Sequence, residues 1–334
     1  MALEPPRIDS DQEYSARLND GAYWEPYARL ALDRAGLPDP GKVMLAEPVG
    51  TYPTLIADTG LVVKMFGDRW WGSDSSAAER DAYRVLAGSD LPVPALVATG
   101  ELFPAADGWS WPFVVITEVS GIRLSRIASS LSRPEMEQIA RDIGSFLREL
   151  HQVPLTGQKH LAPKWDAFTN LLIERRSNGP EDHRRWANLP SQLLDQLDDG
   201  LPDLGVIVDV AQPPRFVHGD LHMDHFFVDP QTKRLGAVID FTDVHAGDPR
   251  YDLLALHFGA FGTDKGLLAQ CLDAYGWPAT DSHWSKDMLA LALLHDFNMF
   301  KHSTELDRFS TLDDLAEALW NLDDPRMVRT LFGY

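Results

Sequence analysis

The stretch RFVHGDLHMDHFFVDPQTKRLGAVIDFTDVHAGDPRYDL, residues 215–252, constrains this chain more than any other. It holds two short apolar runs, residues 216–217 and 237–239, that read as strands. Each leads into a polar cluster: His218-Gly219-Asp220 after the first and Asp240-Phe241-Thr242 after the second. Carboxylates at the ends of buried strands are what a phosphoryl-transfer site needs. One must orient a hydroxyl nucleophile, and others must hold the magnesium that neutralises the phosphates. Asp220 fits the first role, on a sharp turn where Gly219 can relieve backbone strain. Asp240, ~20 residues on and after an apolar strand, fits the metal-holding role. An HGD triplet alone is weak, since any turn can carry it; a strand, HGD, then a strand ending in Asp-Phe at this distance is far more specific. Asp248, before Pro249, and Asp252 read as structural, Asp248 as the cap of a helix starting near the proline.

Composition narrows the partners. The chain has 334 residues, long for one compact domain, so two lobes are expected. Hydrophobic residues make up 44%, with ten Trp, enough for a real core. Fifty acids against 30 bases give a formal charge of −20, which disfavours nucleic acid and anionic membranes and favours a cationic small ligand or none. One cysteine, Cys271, excludes an internal disulfide and a Cys-based zinc site. The opening MALEPPRIDSDQEY has no basic start before an apolar run, and no stretch approaches ~18 uninterrupted apolar residues. A soluble, cytoplasmic, monomeric protein is expected.

Periodicity places the elements. Asp20-Gly21 precede a helix in which Tyr23, Tyr27, Leu30 and Ala31 share a face, stopped by Gly36, Pro38 and Pro40. Residues 42–66 read as β-rich, with a hairpin turn at 49–54. In its last strand Val62, Lys64 and Phe66 point one way and Val63 and Met65 the other. Lys64 among apolar neighbours must either meet anions or reach solvent from an edge strand. Residues 73–86 begin with N-cap residues and run as a helix with Glu79, Tyr83 and Leu86 on one face. Strands follow at 96–100 and from Trp111, and the lobe boundary falls near residues 117–121. Beyond it helices dominate. One carries Ile139, Ile143, Phe146, Leu147 and Leu150 at helical spacing, and another spans 165–199 with a Gly-Pro break at Gly179. Later helices are read at 251–261, 266–274, 286–300 and 312–322.

HGDLHMDHFFVD with IDFTDVHAGDPRYDL resembles the aminoglycoside phosphotransferase family. Within it the chain is most similar to the hygromycin B phosphotransferases of actinomycete type, which phosphorylate the 7″ hydroxyl. The likeness extends almost end to end, through RIDSD at Arg7, WEP at Trp24, VVKMFG at Val62, VPLTG at Val153, RFVHGDLH at Arg215, IDFTDV at Ile239 and LHDF at Leu294. The resemblance implies an α+β, bilobal, protein-kinase-like fold. Its small β-rich N-lobe, with a helical extension, would span residues 1–117, and its larger helical C-lobe 118–334. It implies ATP and magnesium as cofactors. Asp220 becomes the catalytic aspartate, Lys64 the strand lysine on the α/β-phosphates oriented by Glu79, and Asp240 the metal ligand. The backbone of Glu118 and Val119 becomes the adenine-binding hinge, and the turn with Gly50 and Thr51 the cover over the phosphates. A cationic aminoglycoside would meet acids of the C-terminal lobe, with Asp224, Asp243 and Asp296 as candidates.

One position departs from the family. Its pattern HGDxxxxN ends in an asparagine that offers magnesium a carbonyl oxygen; here the residue is His225. Magnesium prefers oxygen, whereas imidazole suits softer ions. A slow enzyme, a shift toward manganese, or a non-catalytic nucleotide-binding relative are the outcomes to separate. A metallohydrolase is the remaining alternative, because Asp220-Leu-His222-Met-Asp224-His225 reads D-x-H-x-D-H, one residue from a known zinc-binding run. As a structural residue, His222 would bond to backbone.

Overall fold

The computed structural model describes residues 3–157, 159–324, 326 and 328–330. The chain divides into two compact units. The first comprises residues 1–120 together with 237–243, and the second residues 121–236 and 244–334.

The first unit opens with α1 (Asp11–Leu18) and α2 (Gly21–Arg34). Each starts on a side-chain cap: the Ser10 hydroxyl accepts from the Glu13 N–H and the Asp20 carboxylate from the Tyr23 N–H. Gly36, with φ +67°, takes the left-handed turn that ends α2. The sheet consists of β1 (Val43–Leu45), β2 (Thr54–Ala57), β3 (Leu61–Met65), β4 (Leu96–Glu101) and β5 (Pro112–Thr117), in the antiparallel order β1-β2-β3-β5-β4. The buried face of α2, Trp24, Tyr27, Ala28, Ala31 and Leu32, packs with Leu55, Val63, Met65 and Val115 of the sheet into one core. Trp24 and Trp111 meet at 5.2 Å between ring centroids, and burying side chains of this size stabilises by roughly 1.5–3 kcal/mol each.

Strand β3 is central, with Lys64 opposite Thr54 on one side and Val114 on the other. Its lysine therefore has no edge from which to reach water, and of the two expectations for it only the meeting with anions survives.

Between β3 and β4 runs α3 (Gly72–Leu86), which buries Glu79, Tyr83 and Leu86 as its periodicity predicts. Its start differs from expectation. The N-cap is Trp71, at φ 59°, and no side chain caps the first turn. A Cβ on Gly72 would fall 1.8 Å from the Gly67 carbonyl oxygen. A tight fold-back of the chain at these two glycines sets where the helix begins, and the serines that follow lie inside it.

The second unit begins with the short strand β6 (Ile122–Arg123), followed by α4 (Arg133–Leu150) and α5 (Asp166–Trp186). The strands β7 (Arg215–Val217) and β8 (Phe226–Val228) come next, and β9 (Leu235–Val238) carries the chain out of this unit. After the return come β10 (His245–Gly247), α6 (Arg250–Ala255), α7 (Lys265–Tyr275), α8 (Trp284–Leu293) and α9 (Leu312–Trp320). Antiparallel pairs join β6 to β8 and β7 to β10. Helix α4 starts with a Ser132–Glu135 capping box and buries all five apolar residues named from its spacing. It crosses α7 so closely that a Cβ on Gly144 would lie 2.1 Å from the Cys271 carbonyl oxygen.

Further helical boundaries differ from the sequence expectation, α5 ending at Trp186, where Ala187 turns left-handed, and not reaching residue 199. Helix α5 runs through Gly179 and Pro180 without a break. Proline costs the helix one hydrogen bond, but the far half is anchored by buried His183, whose Nε2 donates to the Leu293 carbonyl at 2.9 Å. Helix α8 ends at Leu293, so Asp296 lies beyond it and not on a helix reaching residue 300. Just past that end, buried His295 stacks on Tyr251 at 4.2 Å and its Nδ1 accepts the Phe297 N–H, a local turn that replaces the next helical hydrogen bonds. Among the described residues, no helix is long and apolar enough to cross a membrane.

Candidate active site

The first unit holds a buried charge cluster. Lys64 Nζ stands 3.1 Å from Glu79 Oε2 and 2.7 Å from Asp240 Oδ1. Asp240 is 176 positions along the chain from Lys64. The lysine and Glu79 side chains are 9% and 1% exposed, while Asp240 keeps 27%. Burial works to strip the ammonium of its proton, but the Asp240 and Glu79 carboxylates more than offset it and hold the Lys64 pKa above its ordinary value. For Glu79 burial is the largest influence and pushes the carboxyl up to about 7, against the pull of Lys64. The Tyr83 hydroxyl, one helical turn on, donates to Glu79 Oε1 at 3.3 Å. Tyr52 lies with its ring 5.8 Å from the Lys64 ammonium, and its hydroxyl donates to the Trp70 carbonyl. That tyrosine follows directly on Gly50 and Thr51, so the turn expected to cover phosphates is tethered beside the lysine.

Asp240 adopts φ 69°, a left-handed conformation uncommon for a non-glycine residue. The Thr242 hydroxyl lies 2.8 Å from both Asp240 Oδ1 and Asp243 Oδ2, and its single hydrogen can serve one of them at a time. Asp243 is thus placed beside the metal-ligand candidate. At the end of β5, the N–H of exposed Glu118 donates to the Gly60 carbonyl at 2.8 Å, and Val119 is half-buried next to it.

The second unit carries the HGD turn. Chain leaving β7 passes through fully buried His218, and Gly219 at φ 87° turns it into Asp220. Asp252 clamps this turn from α6. Its carboxylate accepts the His218 N–H at 3.1 Å and the Gly219 N–H at 2.8 Å, and His151 Nε2 lies 2.9 Å away. Although burial opposes ionisation, His151, His218 and the Gly219 N–H hold the Asp252 carboxyl below the usual range. Asp248 accepts from the Arg250 N–H and pairs with its guanidinium, so both aspartates are structural, as their positions in the sequence suggest.

Past Asp220, residues 223–225 make one tight helical turn. His225 is buried, and its Nδ1 donates to the Asp220 carbonyl at 2.7 Å. Nδ1 of His222 accepts the Asp224 N–H at 3.3 Å, while its Nε2 lies 3.6 Å from Asp220 Oδ2. Asp224 is also buried; the Ser125 hydroxyl donates to its carboxylate and Arg123 to its carbonyl. Asp296 is exposed beyond α8, its N–H donating to the Tyr251 hydroxyl. The structure therefore groups Lys64, Glu79, Asp240 and Asp243 in one unit, and Asp220, His222, Asp224 and His225 in the other.

Sequence reasoning did not single out Tyr52, His151, Arg123, Ser125 or Thr242 for roles here. Thr242 was visible beside Asp240. The other four occupy ordinary helix, strand or turn contexts that carry no local signal.

This arrangement has known counterparts. The fold is similar to the GDP complex of an aminoglycoside 2′-phosphotransferase-IIIa, with TM-score 0.62, 20% identity, and 82% of this chain and 88% of that one covered. It is also similar to ADP-bound APH(2″)-Ib, with TM-score 0.53, 21% identity, and 84% and 90% covered. APH(3″)-Id of Streptomyces rimosus follows, with TM-score 0.54, 20% identity, and 79% and 96% covered. These likenesses define the class by fold: α+β and protein-kinase-like, as expected. The chain belongs to the phosphotransferase enzyme family, whose model it matches over residues 51–287. A curated relative, lysine-specific demethylase JMJ21 of Arabidopsis thaliana, is 22% identical over 213 residues; the match covers 53% of this chain and 23% of that much longer protein.

Proposed function

We propose that the protein is an ATP-dependent O-phosphotransferase acting on a hydroxyl of an aminoglycoside, with hygromycin B and its 7″ hydroxyl as the specific substrate, and so confers resistance to it. The observation that carries this reading is the convergence of Lys64 on β3, Glu79 on the next helix and Asp240, 176 positions beyond Lys64, into one cluster. Burying Lys64 and Glu79 beside the part-exposed Asp240 has a large desolvation cost, which a nucleotide site gives a reason to bear. The choice of hygromycin B is supported by the family strings spread along the sequence. Support for the wider substrate class comes from related proteins of this fold, one seen with GDP and kanamycin and another with gentamicin.

In this mechanism Asp220, held still by the Asp252 clamp, accepts the hydrogen bond of the substrate hydroxyl and takes its proton late in transfer. Lys64, oriented by Glu79, meets the α- and β-phosphate oxygens, and the Gly50–Thr51 turn shields them from water. Glu118 and Val119 offer backbone groups to adenine. Asp243 and Asp224, near the metal and catalytic aspartates in sequence, and the exposed Asp296 offer negative charge to the substrate's ammonium groups. A divalent ion would neutralise the phosphate charge. Asp240 offers magnesium a hard oxygen, whereas His225 offers a nitrogen, a donor that manganese tolerates better.

The test is a panel of aminoglycosides incubated with ATP and read by product mass. Gain of one phosphate on hygromycin B alone supports the full reading. Gain on another aminoglycoside keeps the class and removes the specific substrate. Tight ATP binding without transfer to any of them favours a non-catalytic nucleotide-binding protein.

A further inference from the structure

We propose that Asp220, His222 and His225 form a binding site for a first-row transition-metal ion, zinc foremost. One carboxylate oxygen of Asp220 and one ring nitrogen of each histidine lie within 4.8 Å of one another. A tetrahedral zinc with bonds of ~2.0–2.1 Å spaces its ligand atoms about 3.3 Å apart. The His222 Nε2 to Asp220 Oδ2 separation is already 3.6 Å, and side-chain rotations that close gaps of up to about 1.5 Å bring the whole set to that spacing.

The backbone brings the histidines together. The His225 N–H donates to the His222 carbonyl at 3.0 Å, closing a tight turn, and such a turn stacks side chains three residues apart. Their ring centroids stand 3.8 Å from one another. The hydrogen bond from His225 Nδ1 to the Asp220 carbonyl leaves the lone pair on Nε2. That is the tautomer of a metal-bound histidine, whose other nitrogen donates to a carbonyl. On His222, ligation through Nε2 moves the ring hydrogen to Nδ1 and gives up the long 3.3 Å contact from the Asp224 N–H. Asp224 stays outside the set, its carboxylate taken by Ser125. Two imidazoles and one carboxylate form a donor set suited to zinc, cobalt or nickel and poorly suited to magnesium.

The functional consequence rests on the phosphotransferase reading. A carboxylate bound to zinc cannot accept a hydroxyl proton, so zinc in this site blocks transfer by occupying Asp220. The fourth position stays open for water.

Chelator-stripped protein is titrated with cobalt(II), read by its visible d–d absorption, and back-titrated with zinc. The expected result is one bound equivalent, displaced by zinc. His222→Ala and His225→Ala should each weaken binding by at least about tenfold, while His283→Ala, an exposed histidine elsewhere, changes nothing. His225→Asn retains a donor for the Asp220 carbonyl and serves as the folded control, checked by thermal unfolding. Absence of the cobalt spectrum in the wild type, or wild-type affinity in either histidine-to-alanine variant, overturns the site. A normal cobalt spectrum in a protein that transfers no phosphate upholds the site and removes the phosphotransferase reading. Transfer that proceeds undiminished with zinc bound overturns the blocking role.

Discussion

Replacing Lys64 by methionine isolates the electrostatics of the buried cluster. The substitution keeps the length of the side chain and removes the charge, leaving Glu79 at 1% exposure and Asp240 without their shared ammonium. Removing one partner of a buried ion pair costs about 3–5 kcal/mol, because the remaining charge is stranded. Here the cost must depend on pH. Glu79 already titrates at about 7, above its ordinary 4.5, because of its burial. A carboxyl with a raised folded-state pKa binds more protons folded than unfolded between those values, so its contribution to stability falls as pH rises through that window. Without Lys64 the folded pKa climbs further and the window extends above 7. Near pH 5.5 both proteins hold Glu79 neutral, and the variant loses only the Lys64–Asp240 contact, about 1 kcal/mol. Each pH unit above 7 then adds up to about 1.4 kcal/mol to the difference, toward the 3–5 kcal/mol limit. Urea unfolding of both proteins at pH 5.5, 6.5, 7.5 and 8.5 measures this. A destabilisation that stays constant across the series within about 0.5 kcal/mol refutes the argument that stranding Glu79 governs the cost.

Three further outcomes are expected. Asp220→Asn should lower phosphate transfer by about 10²–10⁴-fold while ATP affinity, measured by calorimetry, stays within a factor of two or so. Asp252→Asn should destabilise the second unit by about 3 kcal/mol in urea unfolding, because an amide oxygen replaces an anion that accepts from His218, Gly219 and His151; an unchanged midpoint would show the clamp to be dispensable. His225→Asn should raise turnover in magnesium by about tenfold relative to manganese, and no rise in either metal would remove His225 as a hindrance to the metal site.

Much of the secondary structure was legible because it obeys local periodicity. Five apolar residues spaced along α4 all turned inward, and the shared face of Glu79, Tyr83 and Leu86 is the buried face of α3. Boundaries failed where a distant element decided them. Pro180 does not break α5, since His183 binds a carbonyl on α8, and no spacing rule contains that contact. The start of α3 follows from the approach of Gly72 to Gly67, a packing fact that overrides the serine caps. Of the candidate site residues, Asp220 and Asp240 stood out because each ends an apolar strand. Asp252 was legible only as structural, and its clamp on the HGD turn was not.

The sequence by itself determined the residue types and their local setting: a lysine in an apolar strand, a glutamate on a buried helix face, and aspartates after two short strands. It also supplied the departure at His225, since identity at one position needs no fold to be read. The tertiary structure decided which of these meet. The return of residues 237–243 to the first unit puts Asp240 on Lys64, a pairing over 176 positions that no periodicity can encode. It also decided that Lys64 is buried, because only the strand order makes β3 central. Local pattern reports what a residue does to its own turn or strand. Charge pairing and burial depend on what the rest of the chain brings alongside, and there the physical outcome is settled by packing.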